Sequence, residues 1–159
     1  MVVILHNIRS LHNVGSIFRT ADAAGVEKIY LCGITPGPID VFGKSRPQLT
    51  KVSLGAEKYV KWEKIKSATR IIDKLKKDNY KIFAIEQNKK SILYSNIRRS
   101  SNLRVGRLAL VLGNEIKGLP TSILKRADKI LEIPMKGKKE SLNVAVAFGI
   151  VVYHFLHSS

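Results

Sequence analysis

Residues 108–120 read LALVLGNEIKGLP: five apolar residues, then Gly113, a polar stretch carrying Glu115 and Lys117, and Gly118 before Leu119 and Pro120. A short, nearly continuous apolar run closed by turn residues is what a strand buried on both faces of a sheet looks like. Outward from this run the same pattern recurs at Val2 to Leu5, Lys28 to Cys32, Lys81 to Ile85 and Ile130 to Ile133. Helical spacing fills the intervals between them. Val14, Ile17, Phe18 and Ala21 line one face of a segment ending near Gly25. Ile71, Ile72 and Leu75 lie opposite lysines within 67–77, residues 120–126 form a short helix, and 141–157 form a long apolar one. The segment from Gly33 to Pro47, with Pro36, Gly37, Pro38 and Gly43, is a loop. Strands alternating with helices predict an α/β fold with a parallel sheet covered by helices on both faces. Ligands of such sheets collect beyond the carboxyl ends of the strands, which directs attention to the segments after Leu5, Leu112 and Ile133.

The chain has 159 residues, with 28 Lys and Arg against 12 Asp and Glu, a formal charge of +16. That length predicts a single domain over 1–159, and 45% hydrophobic residues make the charge a property of a folded surface. A strongly basic surface calls for a polyanionic partner, with nucleic acid ahead of an anionic membrane. One cysteine, Cys32, excludes an internal disulfide framework and a cysteine-based zinc site, and suits the reducing cytoplasm. The N-terminus carries no secretory leader pattern, and the most apolar run, Val144 to Tyr153, is about half the ~20 residues of a membrane span. Triphosphate and dinucleotide loops are also excluded: Pro38 stands where a phosphate-binding loop ending in Gly43-Lys44-Ser45 needs glycine, and no Gly-rich dinucleotide fingerprint occurs. His154 and His157 have no convergent ligand set, so they read as last-turn histidines of a helix.

Asn13 is the expected cap of the first helix, and Arg19 points away from its apolar stripe. Arg19 is either a solvated surface arginine or a ligand for an anion at that helix start. Ser141 is expected to cap the last helix, with Asn143 inside its first turn. Lys136, Lys138 and Lys139, together with Arg98, Arg99, Arg104 and Arg107, suit a phosphate track beside the two glycine-bearing loops. The lysine-rich helix over 67–77 is placed away from that face.

In order, NVGSIFRTADAAGV from Asn13, LALVLGNEIKGLP from Leu108 and IPMKGKKESLNVAVAFGIVVYHF from Ile133 resemble the three motifs of the SpoU/TrmH family of RNA ribose methyltransferases, within the SPOUT class. The resemblance spans nearly the whole chain. It implies a C-terminal deep trefoil knot that holds S-adenosylmethionine in a bent shape, and a homodimer whose active sites draw on both subunits. Asn13 and Arg19 match the first motif's Asn and catalytic Arg, Glu115 the acid of the second, and Ser141 and Asn143 the polar pair of the third. Leu112, Gly113, Ile133, Met135 and Leu142 fall where the family wraps the adenosine. The implied reaction moves a methyl group from a sulfonium to a ribose 2′-hydroxyl of transfer or ribosomal RNA, and no metal is required. The family mechanism gives proton removal to the arginine. A guanidinium would cost about 7 kcal/mol to deprotonate at neutral pH, so Arg19 is expected to hold a substrate phosphate and stabilise the developing oxyanion. No appended RNA-binding segment is expected, which inclines the expected substrate toward transfer RNA. The competing expectation is a catalytically silent RNA-binding protein on the same fold.

Overall fold

The alternation becomes a seven-stranded, all-parallel sheet in the computed structural model, which describes residues 1–98 and 107–157. In chain order the elements are β1 (Val2–His6), α1 (Leu11–Ala24), β2 (Lys28–Cys32), α2 (Pro47–Ser53), β3 (Lys61–Ile65), α3 (Ala68–Lys77) and β4 (Lys81–Ile85). They are followed by β5 (Ile92–Leu93), β6 (Leu108–Gly113), α4 (Thr121–Leu124), β7 (Lys129–Glu132) and α5 (Val144–His157). The strand order is β3-β2-β1-β6-β4-β7-β5. The chain thus builds outward from β1 on one side, then crosses through α3 to the other. The reversal of strand order, where β1 meets β6 with His6 opposite Gly113, is the place at which an open α/β sheet leaves a crevice.

β6 is the central strand, and Leu108 to Leu112 are at most 2% exposed. Its side chains alternate between two cores. Val3, Leu5, Leu110 and Leu112 pack with α1, α2 and α5, whereas Val2, Ile4, Ala109 and Val111 pack with α3 and α4. Helices therefore cover both faces, as expected for buried parallel strands. Phe148 and Phe155 anchor α5 on the first face, each worth about 1.5–3 kcal/mol of apolar burial.

Several local expectations change. Ser10, not Asn13, caps α1: its Oγ accepts the Asn13 N–H at 3.1 Å, and Asn13 lies in the first turn. At the start of α5 the roles are also exchanged. Asn143 Oδ1 accepts the N–H groups of Ala145 and Val146, while Ser141 is exposed three residues before the helix. α2, β3 and β5 fall in stretches that carry no strong pattern. β3, KWEKI, is an edge strand with no fully buried residue, so it has no apolar run to announce it. α5 is less enclosed than its composition suggests, with Val146 and Tyr153 at 52% and 43% exposure.

Candidate functional site

Three side chains from distant parts of the sequence interlock at the carboxyl edge. Asn13 is 8% exposed; its Nδ2 donates to Glu115 Oε1 at 2.9 Å, and its Oδ1 accepts from Asn143 Nδ2 at 3.0 Å. Glu115 Oε1 also accepts the Val144 N–H at 3.1 Å, which satisfies one of the free donors at the start of α5. The first turn of α1, the loop after β6 and the start of α5 are thereby tied together. Bonded through both its nitrogen and its oxygen, the nearly buried Asn13 amide is held in one orientation. Each of the three residues comes from a different sequence motif.

Beside this network lies a cleft that is partly open to solvent. Leu112, Gly113, Ile133, Met135 and Leu142 all line it, with Glu115 and Ser141. Glu86 and Gln87, just beyond β4, line it too and escaped the sequence reading. The same carboxyl-edge rule applied after Ile85 would have found them. Glu86 braces the wall: Oε2 accepts the Leu119 N–H at 2.7 Å and Oε1 the Gln87 N–H at 3.1 Å. Gly118, at φ +64°, passes so close to this carboxylate that a Cβ there would collide with it. Gly113 is required for a different reason from open space for a ligand. A Cβ on it would come within 2.6 Å of Leu119 and 3.0 Å of the Gly118 carbonyl.

The apolar walls, exposed backbone at strand ends and the carboxylates Glu86, Glu115 and Glu132 make the cleft suitable for a flat aromatic group joined to a cation. Those are the properties of S-adenosylmethionine.

Arg19 is exposed and outside both the network and the cleft lining. Six residues along α1 place it about 9 Å from Asn13. Lys136, Lys138 and Lys139 are exposed on the segment after β7, as a phosphate track requires, and Arg98 is exposed. Arg107 is a correction. It precedes β6, so the strand carries it to the amino edge, where its Nη1 donates to the Asp78 carbonyl and its guanidinium lies over the Tyr80 ring. Arg99 and Arg104 lie outside the described residues. His154 and His157 use Nε2 on the carbonyls of Ile97 and Ala24, which tie α5 to its neighbours. Cys32 is buried under the sheet's second face, and burial pushes its thiol up to about 12, so it is no nucleophile.

Comparison with known proteins defines the class. The model of the SpoU rRNA Methylase family matches residues 1–153, and the chain belongs to that family of S-adenosylmethionine-dependent RNA methyltransferases. A tRNA (guanosine(18)-2′-O)-methyltransferase of Aquifex aeolicus is 31% identical over 153 residues, covering 96% of this chain and 67% of that enzyme. An AdoMet-bound rRNA methyltransferase of Sinorhizobium meliloti superposes with a TM-score of 0.81 at 27% identity, over 96% of this chain and 54% of the other. A structure concerned with 2-OH methylation of C/U34 on tRNA superposes with a TM-score of 0.77 at 27% identity, over 96% of this chain and 91% of that one.

Proposed function

We propose that this domain transfers the methyl group of S-adenosylmethionine to a ribose 2′-hydroxyl of RNA, with transfer RNA as the substrate class. The observation that carries the proposal is the Asn13–Glu115–Asn143 interlock, which draws the three motif segments around one cleft. The cofactor would supply a methyl group on a cationic sulfonium, held by the backbone around Leu112, Gly113, Ile133, Met135 and Leu142. As the hydroxyl loses its proton, opposite charges are neutralised, so the protein has to align the groups and keep water out. Glu115 and Asn143 fix the cleft mouth. Arg19 binds a substrate phosphate and stabilises the oxygen's developing charge, and the exposed Ser141 hydroxyl lies at the cleft for the substrate.

The domain acts as a homodimer. Val146, Ile150 and Tyr153 form a stripe along α5 at helical spacing, and Val146 and Tyr153 are well exposed, as is Ile116 at 92% in the loop after β6. Covering this surface with a second copy would place its residues beside the cleft, including an Arg19 that the single chain holds apart from its own network. A deep trefoil knot around β6, β7 and α5 and a cytoplasmic location complete the proposal. Among the described residues no helix is long and apolar enough to cross a membrane.

Incubation with labelled S-adenosylmethionine and unmodified transfer or ribosomal RNA transcripts, followed by nucleoside mass spectrometry, tests the assignment. A 2′-O-methylated nucleoside is expected. Calorimetric binding of the cofactor without any methylated product from either RNA would favour the silent RNA-binding alternative.

A further inference from the structure

A second cleft opens on the same carboxyl edge but on the opposite face, between α3 and α4 below the end of β1. It is broad and open to solvent, and is lined by His6, Lys66, Thr69, Arg70, Lys74 and Ser122 among others. α3 connects parallel strands and so runs against them. Its first turns begin at the carboxyl edge.

Lys66, Arg70 and Lys74 are all exposed: Lys66 stands just before the capping Ser67, and Arg70 and Lys74 lie about 6 Å apart along one side of α3. Lys66 and Arg70 have no side-chain ion pair or hydrogen bond among the described residues. The carboxylate at the cleft, Glu63, is already bonded to Lys28 at 2.7 Å, so the lining carries a net positive charge. His6 adds a neutral ring to the cleft wall. Its Nε2 lies 3.2 Å from Asn7 Nδ2 and takes the acceptor role, which leaves the proton on Nδ1, a buried atom without a partner. Burial lowers the His6 pKa and keeps the ring uncharged at neutral pH. A row of cations matches a row of phosphates better than a single small anion.

We propose that this cleft is a second RNA-binding groove, which takes the sugar–phosphate backbone of the substrate on the face opposite the cofactor cleft. The proposal rests on the RNA methyltransferase reading and extends it: the strand crosses the sheet edge between the two faces. It is tested with an unmodified transfer RNA transcript, whose binding to the full chain is followed by fluorescence anisotropy over a range of salt concentrations. The triple variant Lys66→Gln, Arg70→Gln, Lys74→Gln is compared with Lys61→Gln, Lys81→Gln, Lys129→Gln. The latter removes the same charge from first positions of parallel strands, at the amino edge. The cleft variant is expected to lower the salt slope by about 2 to 3, at roughly 0.7–0.9 per lost phosphate contact, and the control by less than 1. Cofactor affinity, read by calorimetry, should stay within twofold in both. Equal losses would show a diffuse field, no loss would show an unused cleft, and displacement of the RNA by AMP at constant ionic strength would show a small-nucleotide site; each overturns the proposal. Failure of the wild-type chain to methylate any RNA would instead overturn the reading beneath it.

Discussion

The two clefts on one sheet edge are lined by opposite charges held in opposite ways. In the cofactor cleft the acids Glu86, Glu115 and Glu132 are each engaged: with Leu119 and Gln87, with Asn13 and Val144, and with Ser91. In the second cleft Lys66 and Arg70 are left unpaired among the described residues. Engaged carboxylates hold backbone segments in place and set a pocket's shape, which suits a small ligand bound in one pose. Unpaired, exposed cations keep their mobility and suit a polymer whose phosphates are repeated. Local geometry is therefore fixed where a reaction needs alignment, and left adaptable where affinity comes from counterion release.

The sharpest test of this division is Arg19, an exposed cation assigned to the chemistry. Arg19→Ala should lower methyl transfer by about 10²- to 10³-fold, the loss usual for one preorganised donor to a developing oxyanion. Cofactor affinity should stay within a few fold, because Arg19 does not line the cofactor cleft. Arg19→Lys should also be poor, since an ammonium cannot reproduce the planar fork. Loss of cofactor binding in the folded Ala variant would place Arg19 in the wrong cleft.

Glu115 tests the other half. Glu115→Ala strands the amide of Asn13 and the N–H of Val144, at about 1–3 kcal/mol for each donor left unsatisfied. Cofactor affinity and melting temperature should fall together. Glu115→Gln keeps a carbonyl acceptor and should retain most of both. If Gln is as damaging as Ala, the charge of Glu115 matters beyond its hydrogen bonds. Gly113→Val should come next in severity, through collision with Leu119, and Leu119→Ala should partly relieve it in a double-mutant cycle. Additive losses would mean that the valine blocks the ligand directly.

Much of this was legible in the sequence, for identifiable reasons. Strands buried on both faces advertise themselves as apolar runs, so β1, β2, β4, β6 and β7 were visible, whereas the exposed edge strand β3 and the two-residue β5 were not. Motif order picked out Asn13, Glu115 and Asn143, but their mutual bonds span 102 and 130 residues and no local pattern encodes them. Arg107 was misplaced because neighbouring residues in a sequence can stand on opposite edges once a six-residue strand, about 20 Å long, separates them. α3 packs on the face opposite the cofactor cleft, in keeping with the expectation that its lysines lie away from that site.

The smallest predicted effect separates two polar neighbours that the sequence ranked in the wrong order. Ser and Asn are both good helix caps, and a helix read as starting at Ser141 gave that residue the cap and put Asn143 inside the first turn. Asn143 in fact accepts from Ala145 and Val146 with Oδ1 and donates to Asn13 with Nδ2, so it both caps α5 and joins the network. Asn143→Ala should cost about 1 kcal/mol from the cap alone, a few degrees of melting temperature for a chain of this size, with a further loss of activity as Asn13 is released. Ser141→Ala, at an exposed position before the helix, should change stability by less than about 0.5 kcal/mol. It should affect methyl transfer without altering cofactor affinity if its hydroxyl meets the substrate. A melting temperature lowered equally by both substitutions, measured calorimetrically, would return the cap to Ser141 and leave Asn143 with its network bond alone.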